Sequence, residues 1–190
     1  IWSVGNHRLV CGDSREPETF KSLMIDESAH MCLTDPPFNV RVDGHVCGAG
    51  KIKHAEFAMA SGEMSEDEFI TFLATVIALM VKFSRDGSLH YLFIDWRHIY
   101  ELIVAGRAHY TETKNICVWN KSNGGMGSFY RSKHEFVVVF KNGTAPHLNT
   151  IELGAHGRYR TNVWDYAGVN QFGNQDDLKS HPTVKNVVML

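Results

Sequence analysis

Four consecutive residues of this 190-residue chain combine groups that could act together on one planar ligand: Asp35, Pro36, Pro37 and Phe38. They follow an apolar run, His30–Leu33, that predicts a short buried strand. Two prolines in succession fix φ and remove both N–H donors, so the carbonyl of Pro36 is held at a set angle. A carboxylate, a fixed carbonyl and an aromatic ring suit a ligand that carries an exocyclic amine. The alternative is an ordinary proline turn capped by an aspartate.

This stretch resembles the Asp-Pro-Pro-(Tyr/Phe) catalytic motif of the amino-group DNA methyltransferases that use S-adenosylmethionine. Two further segments match the β-type, circularly permuted members of that family in the same order along the chain. Leu9–Ser14 resembles their strand-Gly-Asp element, and His181–Lys185 resembles their His-Pro-Thr-x-Lys segment. Because the three matches span nearly the whole chain, the sequence is identified as a member of this family, with one catalytic domain expected over residues 1–190.

The resemblance implies that catalysis is carried by Asp35, Pro36, Pro37 and Phe38. The Asp35 carboxylate and the Pro36 carbonyl would accept the two amino hydrogens of an adenine, so that the nitrogen lone pair localises and attacks the sulfonium methyl in line. The protein then contributes positioning and electrostatics. Phe38 would stack on the base, which must first be rotated out of the duplex. Asp at this position favours adenine N6, whereas the cytosine-N4 enzymes of the family usually carry Ser.

The methyl donor S-adenosylmethionine is the implied cofactor. Asp13 would lie near its adenosine end, and Asp35 is counted among its contacts. His181, Pro182 and Thr183 would meet its methionine end. Two simpler interpretations stay open: Asp13 could cap the helix that follows it, and the His-Pro-Thr segment could be a plain turn.

Double-stranded DNA is the implied partner, and its contacts are predicted in three places. Asn39 directly follows the catalytic turn. In the glycine-rich loop between residues 119 and 135, cations could contact phosphates and aromatic rings could stack on bases. The residues concerned in this loop are Lys121, Phe129, Tyr130, Arg131 and Lys133. Over residues 144–178, a short target-recognition segment offers Arg158 and Arg160 to base edges. The loop could instead be a hairpin connection with a solvated basic rim.

The elements that must position these residues follow from the periodicity of the apolar residues. Ser65–Glu68 is a capping box that opens a helix with apolar residues at steps of three and four, and Asp86-Gly87 is expected to end it. A second helix is predicted from about residue 98 to 105. Strands are predicted at residues 8–11, 30–33, 88–94, 115–119 and 136–140.

Strands that alternate with helices, and strands that are continuously apolar, predict an α/β fold with a mostly parallel sheet and helices on both faces. The resemblance implies the same architecture, a Rossmann-like methyltransferase sheet. In such sheets ligands bind beyond the carboxyl ends of the strands, where Asp13, Asp35 and Asp95 are predicted to lie. The loop Val40–Gly62 leaves the catalytic turn directly, so we expect it to lie over the substrate and to order on binding.

The composition is typical of a soluble globular protein, and a net charge of −2 argues against a purely electrostatic nucleic-acid binder. Four scattered cysteines without a Cys-x-x-Cys pair predict free thiols in a reducing compartment, and no metal site is predicted. No signal peptide or long apolar span is present in the sequence. We therefore expect a cytoplasmic protein of bacterial or phage origin, with homodimerisation left open.

The resemblance fails at the C-terminus. The family's glycine-rich cofactor loop would follow Lys185, but the sequence stops at Leu190, and Asn186 stands where a proline is usual. We therefore expect either a chain truncated at its C-terminus, without the last strand–helix units, or a degenerate protein. Besides cytosine-N4 methylation, two alternatives stay open: a catalytically inactive DNA-binding relic, and an RNA or protein amino-group methyltransferase.

Overall fold

The computed structural model describes residues 1–41, 57–125, 129–168 and 183–190. Within these ranges the chain forms a small hairpin and a larger sheet, with three helices. The strands are β1 Trp2–Val4, β2 His7–Leu9, β3 Ala29–Thr34, β4 Ser84–Ile94, β5 Glu112–Asn120, β6 His134–Lys141 and β7 Val163–Asp165. The helices are α1 Pro17–Met24, α2 Glu66–Lys82 and α3 Ile99–Arg107. Most of the predicted substrate loop at residues 40–62 lies outside the described residues.

Five strands form one mixed sheet in the order β3-β4-β6-β5-β7, and β1 pairs with β2 in a separate hairpin. β3 runs parallel to β4 and β7 runs parallel to β5, whereas β6 is antiparallel to both of its neighbours. The sheet is therefore mixed, and the prediction of a mostly parallel sheet is confirmed in part: β3, β4, β5 and β7 share one direction, whereas β6 runs against them. Continuous apolarity indicates that β6 is buried on both faces, which it is, but burial does not fix strand direction. β6 returns antiparallel because it follows β5 without a crossover helix.

The helices pack on one face of the sheet, where Phe20 of α1, Phe69 of α2, Leu102 of α3 and Phe140 of β6 belong to one hydrophobic cluster. The opposite face carries a second buried cluster. Its buried members are Phe93, Cys117, Trp119, Val137 and Val139. Within the described ranges no helix covers this second cluster, so the prediction of helices on both faces is met on one face only.

The longest helix, α2, begins as the sequence predicts. The Ser65 hydroxyl accepts from the Glu68 N–H at 3.4 Å, and the Ser65 N–H donates to the Glu68 carboxylate at 2.8 Å. The helix ends before Asp86-Gly87, which lies inside β4 where the register with β3 shifts. Gly87 has a φ of +84°, and a Cβ there would lie 2.6 Å from the Pro146 carbonyl oxygen. This turn signal therefore marks an irregularity in the strand rather than the end of the helix.

No helix in the described ranges has both the length and the apolar character that crossing a membrane requires.

A buried polar group lies in the helix-covered face. His90 on β4 is fully buried, and its ring nitrogens form hydrogen bonds with the hydroxyls of Tyr110 at 2.7 Å and Ser88 at 3.2 Å. Burial lowers the pKa of His90 to about 4. The imidazole is therefore neutral in the folded protein at neutral pH, and it resists protonation in weak acid.

Replacing Ser65 by Ala removes the oxygen that caps α2. We expect Ser65→Ala to lower the free energy of unfolding by about 1 kcal/mol. Thr71→Ala is the matched control, because the Thr71 hydroxyl donates to the Asp67 carbonyl inside the helix and caps nothing. Urea denaturation of both variants measures the difference. Equal losses in the two variants would show that the cap contributes nothing of its own.

Stability should fall as the pH drops from about 6.5 to about 4. In this range the His90 ring takes up a proton in the unfolded chain but not in the folded protein, so protonation favours unfolding. The loss for this one group should approach about 3 kcal/mol at the acid end of the range. Urea unfolding of the wild type and of His90→Gln across this range measures the effect. The variant should lose part of the pH dependence, and an unchanged slope would contradict the assignment.

Candidate functional site

The predicted catalytic turn leaves the carboxyl end of β3. Pro36 and Pro37 are partly buried, and the ring of Phe38 packs against the hydrophobic clusters of both sheet faces. Phe38 therefore lies where the two cores meet at the edge of the sheet. Asp35 is the first residue of the turn, three positions before Phe38, and 29% of its side chain is exposed.

Asn39 fixes the turn against the residues that lead into α2. Its side chain is buried, with a backbone φ of 53° that Asn tolerates better than most residues. The amide nitrogen donates to the Met64 carbonyl at 2.8 Å, and the amide oxygen accepts from the N–H groups of Gly62 at 3.0 Å and Met64 at 3.2 Å. We expected Asn39 to contact DNA, but these bonds assign its amide to holding the catalytic turn in place.

Lys185 is the residue that joins the parts of the site. Its Nζ lies 3.0 Å from Asp35 Oδ1 and 2.9 Å from Glu135 Oε2. Only 10% of the Lys185 side chain and 12% of the Glu135 side chain are exposed. Lys121 bonds the other carboxylate oxygen of Glu135. Four side chains therefore form a row of alternating charge: Asp35, Lys185, Glu135 and Lys121.

Aromatic rings surround the same ammonium group. Lys185 Nζ lies 5.3 Å from the ring centroid of Phe38, 5.1 Å from that of Phe93 and 5.8 Å from that of Trp119. At these distances the ring faces attract a cation, and the attraction grows when water is excluded. The second hydrophobic cluster thus provides the walls around Lys185.

Both buried partners are charged in spite of their burial. Burial alone would raise the pKa of Glu135, but the cations of Lys185 and Lys121 outweigh it and hold that pKa below its ordinary value. Burial alone would lower the pKa of Lys185, but the carboxylates of Glu135 and Asp35 hold it above its ordinary value. The row is therefore ionic at neutral pH.

No role is predicted from the sequence for Lys185 or Glu135, although Lys185 stands in a segment that carries the family resemblance. One feature of the sequence could have indicated that these two residues form a buried ion pair. Glu135 precedes the wholly apolar run 136–140, and Lys185 lies between apolar residues at 184 and 187–189. A charged residue in apolar surroundings is usually paired when it is buried, so two such residues of opposite sign predict an ion pair.

Asp13 does not follow a strand of the main sheet. It follows β2 in the separate hairpin, and its carboxylate accepts from the Arg15 guanidinium, with 2.6 Å between Oδ2 and Nη2. Hydrogen bonds from Arg15 lower the pKa of Asp13 to about 2. The N-cap of α1 is Glu16, and no side chain caps that helix, so Asp13 does not act as its cap. The prediction that Asp13 and Asp35 follow strands of the same sheet is wrong.

Asp95, by contrast, follows β4 of the main sheet. Its carboxylate accepts from the backbone N–H groups of Arg97 and His98 and from the Arg97 guanidinium. These bonds hold the turn between β4 and α3.

Of the three cofactor contacts predicted near the C-terminus, the structure describes one. His181 and Pro182 lie outside the described residues, whereas Thr183 is partly buried two residues before Lys185. Asn186, which stands where the family usually has a proline, donates from its amide to the Ala167 carbonyl at 2.9 Å. This bond ties the segment to the chain just after β7, independently of the ion pairs of Lys185.

The glycine-rich loop between β5 and β6 presents two aromatic side chains to solvent. Phe129 is 87% exposed and Tyr130 is 82% exposed, with their ring centroids 4.4 Å apart. Arg131 donates to the carbonyls of Gly124 and Gly125, so its guanidinium holds the loop. Phosphate contact by Arg131 stays a prediction, and it would have to coexist with these bonds.

A cavity of about 260 Å³ opens beside this loop, close to the lower end of the range for ligand pockets, roughly 300 Å³. It is lined by Asn120, Lys121, Ser122, Lys133, Asp165, Tyr166 and Ala167. Its lining carries two lysines and the carboxylate of Asp165, which accepts from the Asn120 amide at 2.6 Å. Through Lys121 and Glu135 the cavity connects with the charged row that ends at Asp35.

Part of the predicted target-recognition segment belongs to the sheet. Val163–Asp165 forms β7, and the Trp119 indole N–H donates to the Tyr166 carbonyl at 2.9 Å. Both arginines predicted to read bases, Arg158 and Arg160, are exposed, and the Arg158 guanidinium donates to the Glu152 carboxylate at 2.7 Å.

Solved structures of DNA methylases resemble this fold. The complex named M1.HpyAVI-SAM aligns with a TM-score of 0.57 at 15% identity, over 90% of this chain and 68% of that one. TTHA0409, described as a putative DNA modification methylase from Thermus thermophilus, aligns with a TM-score of 0.56 at 17% identity, over 84% of this chain and 67% of that one. Its complex with S-adenosyl-L-methionine aligns at 16% identity with a TM-score of 0.55, over 84% of this chain and 66% of that one. At such identities the likeness shows the fold alone, and the chain spans about two thirds of the length of these proteins.

The sequence itself carries the family assignment. No curated protein matches it. The family model described as DNA methylase, of the N6/N4 methyltransferase type, matches residues 29–190, from the first residue of β3 to the last residue of the chain. The match contains the Asp-Pro-Pro-Phe turn, Glu135 and Lys185, which are the residues that the fold brings together. The chain belongs to the N6/N4 DNA methylase family.

Proposed function

We propose that this chain carries the catalytic edge of a DNA methyltransferase, which moves a methyl group from S-adenosylmethionine to the N6 amino group of an extruded adenine. The observation that carries the proposal is the partly exposed Asp35 carboxylate at the carboxyl end of β3, held by Lys185 beside Phe38. A carboxylate that is charged, oriented and still accessible is the acceptor that an exocyclic amine requires. Double-stranded DNA in the cytoplasm of a bacterium or a phage-infected cell is the proposed setting.

The residues at the carboxyl end of β3 fit the sulfonium part of S-adenosylmethionine. S-adenosylmethionine supplies an electrophilic methyl group on a positively charged sulfonium. Asp35 directly follows β3, whose Met31 and Leu33 side chains are exposed, and a carboxylate next to an apolar strand end suits a cation with an aliphatic chain. Thr183, with His181 and Pro182, is the proposed site for its methionine end.

The catalytic work of the chain is positioning. The Asp35 carboxylate and the Pro36 carbonyl would accept the two hydrogens of the amino group, so that the nitrogen lone pair leaves conjugation with the ring and points at the methyl group. Asp35 need not be a strong base, because the amine becomes acidic as it is methylated. Phe38 would stack on the base, which must leave the duplex to reach the turn.

The DNA-facing part of the proposal rests on exposure and charge. Phe129 and Tyr130 project into solvent at the end of the β5–β6 connection, and base stacking on such rings is sequence-tolerant. Lys133 lines the neighbouring cavity and could contact phosphate. Arg160 is the more available of the two arginines proposed to reach base edges, because Arg158 is paired with Glu152.

Asp35→Ala tests the catalytic assignment. We expect methyl transfer from labelled S-adenosylmethionine to duplex DNA to fall at least about a hundredfold, since an acceptor aimed at developing charge is lost. The melting temperature should change little. Asp26→Ala, at an exposed aspartate outside the site, is the matched control and should retain full activity. Near-normal turnover by a folded Asp35→Ala protein would defeat the assignment.

Nucleoside analysis of the DNA product identifies the base. N6-methyladenine is expected, whereas N4-methylcytosine would replace the proposed target by the alternative one. A folded wild-type chain that shows no methylated nucleoside, and no rise in melting temperature with S-adenosylmethionine, would be the inactive DNA-binding relic and would overturn the proposal.

Ring removal tests the DNA-binding loop. We expect Phe129→Ala and Tyr130→Ala each to weaken DNA binding by about 1–3 kcal/mol if the ring stacks on a base. Tyr100→Ala, at an exposed ring on α3, is the control. Binding titrations over a range of salt concentrations measure both effects. In the same assay Arg160→Ala should reduce the salt slope by about 1 or relax the sequence preference. Binding equal to that of the control across all salts would count against the DNA-binding assignment.

A further inference from the structure

We propose that Lys185 is a positioning residue for the reaction, and that Glu135 sets how strongly Lys185 holds the Asp35 carboxylate. The inference rests on the proposed function for its catalytic meaning, but its structural part concerns Asp35 itself. Lys185 is 3.0 Å from Asp35 and 2.9 Å from Glu135, and these two carboxylates come from different elements of the sheet.

The Lys185 ammonium sets the direction of the Asp35 carboxylate. A lysine ammonium has three donors and no acceptor, so its contacts fix where the carboxylate oxygens lie. With Lys185 Nζ on Oδ1, Asp35 is turned toward the Phe38 side of the site, where Lys185 is also in contact with the ring. The aromatic walls of Phe93 and Trp119 restrict the ammonium in turn. The direction of the Asp35 carboxylate is therefore set by a cation that cannot move freely.

The same ammonium acts on the charge of the Asp35 carboxylate. A cation at hydrogen-bond distance keeps a carboxylate ionised, but an ammonium that belonged to Asp35 alone would also satisfy it and weaken it as an acceptor. Glu135 takes a second donor of Lys185, so the cation is shared between two carboxylates. Lys121 occupies the other oxygen of Glu135 and keeps that carboxylate in place. The sharing leaves Asp35 charged and still able to accept a hydrogen bond from a substrate.

The remaining titratable groups on this face do not compete for the same role. Tyr91 and Cys117 belong to the surrounding cluster, and burial raises the pKa of both, so they are neutral at neutral pH. Tyr166 packs at the margin of the cluster and lines the cavity. In the part of the chain that the structure describes, Lys185 and Glu135 and, one step further, Lys121 form the charged row that reaches Asp35 from this face.

The C-terminal segment has an anchor that is separate from the Lys185 ammonium. Asn186 bonds the Ala167 carbonyl, and its side-chain oxygen accepts from the Val188 N–H at 2.9 Å. These bonds do not involve the Lys185 ammonium. Replacing the Lys185 ammonium by an apolar end of similar length therefore leaves the segment its own attachment to the chain after β7.

Lys185→Met is the direct test, with Lys114→Met as the control. Lys114 lies 3.1 Å from Glu112 in an exposed pair far along β5 from the site. Carboxyl titration of the full chain by NMR, with labelled aspartate, measures the Asp35 midpoint. We expect Lys185→Met to raise this midpoint by about 1–3 pH units, because the neighbouring cation that favours the charged form is lost. Lys114→Met should leave it unchanged.

Glu135→Gln is the complementary variant and should move the Asp35 midpoint in the opposite direction, since Lys185 then loses one of its two carboxylates. Lys185→Arg keeps the charge and should keep the midpoint close to that of the wild type. If Lys185→Met fails to fold, these two variants still decide the matter. If the Asp35 midpoint equals that of the wild type in the folded Lys185→Met and Glu135→Gln variants, or in whichever of the two folds, the proposal is overturned.

Kinetics then connect the positioning to turnover. In an active wild type, we expect Lys185→Met to lower kcat more than it raises KM for DNA, and to move the acid limb of the kcat/KM profile to higher pH. An active Lys185→Met protein with an unchanged profile would overturn the positioning role while leaving the proposed function intact. A wild type without activity would overturn the proposed function, and the NMR midpoints would still test how Lys185 acts on Asp35.

Discussion

A single buried ammonium group organises the functional edge of this protein. Lys185 draws together a carboxylate from the turn after β3, a carboxylate at the start of β6, and rings carried by the turn, β4 and β5. Leaving either partner of a buried ion pair uncompensated costs about 3–5 kcal/mol, although an intact pair adds little net stability. The arrangement is therefore better explained by what it orients than by what it stabilises. The ion pair with Lys185 restricts the orientations that the Asp35 carboxylate can adopt.

The turn that carries Asp35 is held from two further directions. Asn39 bonds backbone groups at Gly62 and Met64, which places the turn against the start of α2. On the other side, Asn186 bonds the chain after β7, which brings Lys185 within reach of the turn. Both anchors are side-chain amides that satisfy backbone groups, and such bonds hold irregular segments where no ladder can form. The site is thus fixed by elements that are far apart in sequence.

Local signals made much of the fold predictable. α2 and its capping box follow from Ser65–Glu68 and the apolar period, and the strands at 88–94, 115–119 and 136–140 follow from apolar runs. The prediction that Asp86-Gly87 ends α2 is wrong, because the same residue types also occur at an irregularity within a strand. The Asp-Pro-Pro-Phe turn was found from residue types alone, since its rigidity is local. Its partners were not, because the contacts of Lys185 with Asp35 and Glu135 depend on tertiary structure.

The reversed direction of β6, which the sequence did not predict, also explains how Glu135 reaches the site. Glu135 is the second residue of β6 and pairs in register with Trp119 near the carboxyl end of β5. Because β6 is antiparallel, its beginning lies at the edge where β3, β4 and β5 end. In a fully parallel sheet the first residues of every strand would lie at the opposite edge, and Glu135 could not reach Lys185 beside Asp35. An antiparallel central strand therefore lets a residue at the start of one strand act beside residues at the ends of three others.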